Sequence, residues 1–178
     1  MYRVNQRLVK ICNHCTGNSI VRNFTSSQFK TRDEKYKERV EKSFAKQTFM
    51  NHLGAYLSHI APGEVDISCN ASSDLLQQHG FFHGGVTTSI ADSAAGYAAY
   101  SLFAPGSAVL TTEFKINLLN PAQGDVLVAE GRVIKPGKTL SICRSDVYAL
   151  KHDDKSTKVH VATGLFSMMQ LEGVEDET

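Results

Sequence analysis

The sequence lacks the features that mark several large classes of protein. It has no apolar run near the ~18 residues that a membrane-spanning helix requires, so no membrane span is expected. Its net charge is only +1, which gives no electrostatic reason to expect a nucleic-acid partner. A length of 178 residues with 42% hydrophobic residues suits one compact domain with a terminal extension.

Cysteine is scarce, with four residues in the whole chain. Cys12 and Cys15 form a C-x-x-C pair, but no second pair or suitably spaced histidine follows to complete a zinc site. His79 and His83 are four positions apart, but Gly80 interrupts any helix there and no third ligand is placed nearby. The sequence therefore predicts no metal site and unpaired thiols in a reducing compartment.

Acidic residues are absent from positions 1–32, which carry six basic residues. This composition, with an apolar stripe beside a basic one on a helical projection, is typical of a mitochondrial presequence, and residues 22–26 resemble a cleavage site. A disordered basic tail is the alternative. We therefore expect a targeting segment at 1–32, one domain at 33–172 and an acidic tail at 173–178. The predicted location is the mitochondrial matrix, with the cytoplasm as the fallback.

The hydrophobic pattern changes period along the domain. Helical spacing over 33–50 is followed by two short apolar runs around a Pro62-Gly63 turn, and Gly84 to Phe103 again reads as a helix. After Ala104-Pro105-Gly106 the period is two, which predicts four long strands at 108–119, 126–134, 140–149 and 158–169. One apolar helix between two groups of strands predicts an α+β fold, in which a curved antiparallel sheet of about six strands wraps around the helix.

The central helix carries a single charge. Asp92 is the only Asp, Glu, Lys or Arg between Leu75 and Thr112, so this helix should be buried nearly all round. Asp92 shares its helical face with small residues such as Ala95 and Gly96. A carboxylate there is costly to bury unless it is hydrogen-bonded or used in catalysis. On chemistry alone, a bond to a neighbouring backbone group and a catalytic role are equally good interpretations.

The tripeptide His83-Gly84-Gly85 stands where that helix begins. Helix N-termini present unpaired backbone N–H groups and a partial positive charge, and glycine lets a ligand come close. Such a site could stabilise an oxyanion that develops on a thioester carbonyl. A glycine turn with a capping role is the alternative.

The run Gln77-Gln78-His79-Gly80-Phe81-Phe82-His83-Gly84-Gly85-Val86, followed by Asp92, resembles the signature of the hotdog-fold acyl-CoA thioesterases of the phenylacetate-pathway (PaaI) type. Residues 114–121 and 131–140 resemble the strand and hairpin patterns of the same family, so the resemblance covers about 50–170. It implies that the Gly84 N–H, with Gln77, polarises the thioester carbonyl. It also implies that Asp92 is the nucleophile or general base, and that His83 shapes the oxyanion site or contacts the thioester.

Other residues enter through the same resemblance or through their position. Thr111 lies near a place where relatives use Ser or Thr to hold the water, with Thr112 as the alternative. Gly85 would allow close approach of the substrate. Gly137 and Lys138, at a hairpin tip, would meet the phosphates of a nucleotide tail, although a solvated turn is the simpler interpretation.

The resemblance also implies a homodimer, paired again into a homotetramer, with sites at the subunit interface. We therefore predict an enzyme that hydrolyses acyl-CoA to a free carboxylic acid and coenzyme A. No cofactor is expected, because coenzyme A is part of the substrate. The alternatives are a non-catalytic acyl-CoA sensor, which would usually lack the acid, and an enoyl-CoA hydratase, whose acid–His arrangement is not evident. The preferred acyl group is not predicted.

Overall fold

The computed structural model describes residues 29–151 and 158–174. A short 3-10 turn, Ser73–Leu75, precedes the long helix α3. The helices and strands, in chain order, are α1 Tyr36–Ala45, α2 Thr48–His52, β1 Ala55–Ala61, β2 Glu64–Asn70, α3 Gly84–Tyr100, β3 Ser107–Leu118, β4 Val126–Lys135, β5 Leu140–Leu150 and β6 Lys158–Glu172.

The six strands form one antiparallel sheet in the order β1-β2-β4-β5-β6-β3. The strands before and after α3 in the chain thus join in a single sheet, whose inner face covers the helix. The predicted architecture, a curved sheet of six strands around one long helix, is confirmed. Because β3 lies at one end of this order, it pairs with β6 on one side and, in the part of the chain that the structure describes, with no strand on the other.

Helix α3 is buried because its residues are small and apolar. Ala91, Ala94, Ala95 and Ala98 are fully buried against the sheet. Strand β4 comes closest, at Gly131, where a Cβ atom would lie 2.2 Å from the carbonyl oxygen of Ala94. The absence of a side chain at this position therefore sets how near the helix backbone can approach the sheet.

The end of α3 differs from the prediction. The helix stops at Tyr100, three residues before the predicted Phe103. The Arg39 guanidinium donates hydrogen bonds to the carbonyl oxygens of Tyr100, Phe103 and Ala104, so a side chain from α1 satisfies carbonyls that a longer helix would bond internally. An ion pair with Asp33 at 3.0 Å holds this guanidinium in place.

The predicted helix at 33–50 is two helices, because the chain turns at Gln47, whose backbone is extended (ψ 93°). Residues 29–32 belong to the folded part of the chain. Phe29 packs against the core beside Gly63, and the Thr31 hydroxyl donates to the carbonyl oxygen of Ser101. Residues 1–28 and 175–178 lie outside the described residues, so the presequence and the acidic tail stay predictions.

Within the described ranges, the helices are all too short or too polar to cross a lipid bilayer.

Two glycines on the contact between α3 and the sheet should respond oppositely to replacement by alanine. Gly131→Ala should lower the free energy of unfolding by about 2–3 kcal/mol, because its methyl group would collide with helix backbone that cannot rotate away. Gly96→Ala should leave stability unchanged or raise it by up to about 1 kcal/mol, because its methyl group would meet only the Met168 sulfur at 4.0 Å and alanine favours helix. Urea unfolding measures both, and equal losses would contradict this packing.

Candidate active site

The segment before α3 forms a small hairpin beside the start of the helix. Leu76 and Phe82 pair as an isolated antiparallel bridge, and we call residues 76–82 the 76–82 hairpin. Two backbone hydrogen bonds fix its base: the Phe82 N–H donates to the Ala122 carbonyl at 3.0 Å, and the His83 N–H donates to the Leu75 carbonyl at 2.9 Å. This anchoring places Gln77 beside Gly84.

His83 is the N-cap of α3. Its Nδ1 accepts a hydrogen bond from the Gly85 N–H at 2.9 Å, and its backbone is extended (ψ 138°). Because a ring nitrogen that accepts a hydrogen bond carries no hydrogen itself, this contact leaves Nε2 as the ring's donor atom. The geometry thus gives His83 a role in starting the helix, as side-chain oxygens do at other N-caps.

The Gly84 N–H is the free donor at this helix end. No acceptor for it is found among the hydrogen bonds of the described residues, whereas its neighbour Gly85 is bonded to His83. Gly84 and Gln77 both line a pocket of about 450 Å³. The rest of its wall is mainly aromatic and aliphatic, with Phe81, Phe82, Leu118, Leu119 and Pro121. An unpaired N–H on the helix dipole, in an apolar pocket, suits a carbonyl oxygen that gains negative charge.

Asp92 lies two turns further along α3 and faces β3. The Thr111 hydroxyl donates to its Oδ1 at 2.9 Å, while the Thr112 hydroxyl donates to the Ser167 carbonyl instead. The structure therefore places Thr111, and not Thr112, against the acid. Burial raises the pKa of Asp92 above its ordinary value, and the hydrogen bond from Thr111 offsets part of this rise. A carboxylate with a raised pKa is a better proton acceptor near neutral pH.

The predicted site residues fall into two clusters within one chain. Gln77 and Gly84, the oxyanion cluster, lie at the helix N-terminus, and Asp92 and Thr111, the acid cluster, lie near the middle of the helix. Eight residues of α-helix separate the Cα atoms of Gly84 and Asp92 by about 12 Å along the axis. The two clusters also face opposite halves of β3, since the side chain of Leu118 lies over Gly84 and Thr111 bonds Asp92.

The hairpin between β4 and β5 stands apart from both clusters. The Gly137 N–H donates to the Ser141 hydroxyl, and Lys138 is exposed at the tip. Neither residue lines the pocket at Gly84. Lys138 is thus available to an anion in solvent, but in one chain it does not adjoin the oxyanion cluster.

Sequence reasoning missed the other wall of the pocket, which residues 118–122 form. The sequence feature that could have indicated this wall is the apolar pair Leu118-Leu119 at the end of a strand, followed by Pro121. Across the described ranges, no three His, Cys, Asp or Glu side chains come together as metal ligands would. Burial raises the pKa of Cys143 to about 12, so this thiol stays protonated and is a poor nucleophile.

Comparison with known proteins gives a consistent result. A model of the thioesterase superfamily matches residues 79–155. A thioesterase family protein from Silicibacter pomeroyi is 40% identical, and its crystal structure superimposes with a TM-score of 0.74 over 78% of this chain and 99% of that one.

Two more distant proteins also resemble this chain. The E. coli PaaI protein from the phenylacetic acid degradation operon is 21% identical, with a TM-score of 0.69 over 81% of this chain and 99% of that one, which supports the fold. The 1,4-dihydroxy-2-naphthoyl-CoA hydrolase of Listeria monocytogenes is 24% identical over 60% of this chain and 83% of its own length.

Replacing Asp92 should stabilise the protein in a pH-dependent way. A carboxyl whose pKa is raised by folding favours the folded state below its unfolded pKa, and this contribution is lost as pH rises through the folded pKa. Asp92→Asn should therefore be more stable than the wild type at pH 7, and the difference should shrink below about pH 4. Urea unfolding at both pH values measures it.

The paired threonines supply the control for this prediction. Thr111→Val removes the bond to the carboxylate and should destabilise the protein more at pH 7 than at low pH, while Thr112→Val should show no such trend. A stability gain in Asp92→Asn that is equal at both pH values would contradict the assignment of a costly buried charge.

Proposed function

Because this chain belongs to the thioesterase superfamily and has its hotdog fold, we propose that the thioesters it hydrolyses are acyl-coenzyme A esters. The observation that carries the proposal is the unpaired Gly84 N–H in the pocket at the start of α3, together with an acid that a threonine hydroxyl orients. The first supplies a site for the carbonyl oxygen, and the second supplies the group that activates the attack.

The proposed reaction uses the chain's own groups. The ionised Asp92 takes a proton from water while the water oxygen bonds to the thioester carbon, and the carbonyl oxygen gains charge against the N–H groups of Gly84 and Gln77. Re-formation of the C=O bond then breaks the C–S bond. Coenzyme A leaves as the thiolate and takes up the proton, and the free carboxylic acid remains. If Asp92 attacks directly, water cleaves the resulting anhydride to the same products.

Two observations support acyl-CoA as the substrate class. The Listeria monocytogenes relative is by name a hydrolase of a coenzyme A ester. The pocket beside Gly84 has an apolar wall that suits an acyl group, and the exposed Lys138 can meet phosphates in an assembly of several chains. The proposed reaction needs no cofactor, since coenzyme A enters as part of the substrate.

The distance between the clusters supports a site that is shared by two copies of the chain. In such a reaction one group donates a hydrogen bond to the carbonyl oxygen, and an attacking oxygen approaches the carbonyl carbon. The donor atom and the attacking oxygen can lie at most about 7 Å apart. A bridging water extends this to about 9 Å, and the Cα atoms of Gly84 and Asp92 are ~12 Å apart along the axis of one helix. We therefore propose that each site combines Gly84 and Gln77 of one subunit with Asp92 and Thr111 of another.

Strand β3 offers the surface for this pairing. Among the described residues its outer edge has no partner strand over twelve residues, and Leu110, Phe114 and Leu118 are 48%, 47% and 61% exposed. A long edge strand that carries exposed apolar side chains among polar ones is a template for pairing with another strand. If two β3 strands pair antiparallel about a point between Phe114 and Lys115, Thr111 of one copy lies opposite Leu118 of the other. That register brings Asp92 of one copy toward Gly84 of the other.

Two further proposals concern the assembly of the dimers and the location of the protein. Pairing of two such dimers into a tetramer would cover the exposed side chains of Ile134, Leu140 and Leu165. A mitochondrial location is proposed from the acid-free basic segment 1–32, and import of a fusion of that segment to a reporter tests it.

The role of the Gly84 N–H can be tested by deleting it alone. Proline suits the first position of a helix, and the extended backbone of His83 is the conformation that a residue before proline adopts. Gly84→Pro should therefore fold and lower kcat by about 10²- to 10³-fold. Gly84→Ala crowds Leu118 in the same way, at 3.2 Å, but keeps the N–H and should retain much more activity.

Thiol release from short, medium, long and arylacetyl CoA esters measures both variants and defines the acyl preference. Tight binding of these esters by the wild type without any thiol release would favour the sensor over the enzyme.

Mixed dimers test the shared site. Gly84→Pro and Asp92→Asn homodimers should each retain at most about 1% of the wild-type activity. When the two variants are coexpressed with different affinity tags, a mixed dimer retains one intact site of two and should recover about half of the wild-type activity. Mixed dimers without activity would show that each site lies within a single chain.

A further inference from the structure

We propose that the turn at the tip of the 76–82 hairpin is a positioning device, in which Gly80 and the backbone N–H of His79 hold the Gln77 carboxamide with its NH₂ group toward the pocket. The inference rests on the proposed function, in which Gln77 is the second donor to the thioester carbonyl oxygen. The new element is the turn, which determines whether the oxygen or the nitrogen of the amide faces the substrate.

The orientation of the amide follows from one hydrogen bond. The Oε1 atom of Gln77 accepts from the backbone N–H of His79 at 2.5 Å. A backbone N–H can only donate, so the partner must be the amide oxygen and not the nitrogen. The NH₂ group therefore points to the other side, and no acceptor for it occurs among the hydrogen bonds of the described residues. Gln77 lines the same pocket as Gly84, which supports the assignment of this spare donor to the oxyanion cluster.

The tight turn makes this bond possible. The Gln77 N–H donates to the Phe81 carbonyl at 2.8 Å, and the Gly80 N–H donates to the Gln77 carbonyl at 2.9 Å. Gly80 has a φ of +81°, in the left-handed region that other residues rarely adopt. This conformation closes the turn and brings the His79 N–H over the Gln77 side chain two residues earlier.

Preorganisation explains why such a device would matter. A free glutamine side chain rotates, and either its oxygen or its nitrogen could face the substrate. An oxygen in that place would repel the carbonyl oxygen as it gains charge. A donor that is already aimed costs no reorganisation during the reaction, which is the condition under which such donors contribute most.

The chain contains a matched control for the strain at Gly80. Gly54, directly after α2, also has a left-handed φ, +63°. At both positions an added Cβ would meet no atom within 4 Å, so alanine acts on the backbone conformation and not through a steric clash. Gly54 lies outside the pocket and both clusters, so only the change at Gly80 should reach Gln77.

Steady-state thiol release tests the inference with four variants of the full chain. Gln77→Glu keeps an oxygen for the His79 N–H but replaces the donor, and should lower kcat by about 10²-fold. Gly80→Ala should lower kcat by about tenfold or more with little change in KM. Gly80→Asn should keep a kcat near that of the wild type, because asparagine tolerates a left-handed backbone. Gly54→Ala should lose similar stability and keep its kcat.

The double variant separates positioning from general damage. Gly80→Ala should have little further effect on kcat once Gln77→Glu is present, because both changes act on one donor. The inference would be overturned if Gly80→Ala lowered kcat by the same factor in the wild type and in Gln77→Glu. It would also be overturned if Gly54→Ala lowered kcat as much as Gly80→Ala does.

Amide hydrogen exchange of His79 supplies a readout that needs no activity. Its N–H should be protected in the wild type and exposed in Gly80→Ala. Fast exchange in the wild type would overturn the inference, whether or not acyl-CoA is cleaved. Protection at His79 in a protein that releases no thiol from any acyl-CoA would instead count against the proposed function alone.

Discussion

The close contact between α3 and the sheet is the constraint on which the rest of the structure depends. Gly131 lets β4 approach the backbone of α3 at Ala94, and alanines fill the remaining contact. A helix packed this tightly cannot bend or slide without creating voids or clashes. Its N-terminal N–H groups and its one carboxylate are therefore held at set positions, which is the requirement for electrostatic catalysis by preorganised groups.

The same rigidity underlies the proposal that two copies share the chemistry. A straight helix places the Cα atoms of Gly84 and Asp92 about 12 Å apart along its axis, which is a long span for one thioester. Within the described residues, the edge of β3 has no partner strand, and it passes both clusters, at Leu118 and at Thr111. If a second copy pairs antiparallel along that edge, its acid cluster lies opposite the oxyanion cluster of the first copy, and the reverse holds as well. Self-association would thus complete the site, since it supplies a geometry that one rigid helix cannot.

Particular residues show how far prediction from the sequence reached. The start of α3 at Gly84 and the short strands around Pro62-Gly63 were correct, because glycine, proline and hydrophobic period act locally. The end of α3 was wrong by three residues, since Arg39 from a distant part of the chain satisfies its last carbonyls. The choice between Thr111 and Thr112 stayed open in the sequence because it depends on a register shift of β3 against β6 between Thr111 and Glu113.

The sequence by itself determined the fold class, the buried helix and the residue types of the site, because patterning and the isolation of Asp92 in an uncharged stretch need no coordinates. Only the tertiary structure decided which groups are paired and which are free. His83 accepts the hydrogen bond of the Gly85 N–H and Thr111 donates to Asp92, while the N–H of Gly84, a residue of the pocket wall, has no acceptor among the described residues. The bond between Thr111 and Asp92 joins two different elements, and the pocket at Gly84 is walled by residues 118–122, so both depend on the sheet having closed around the helix.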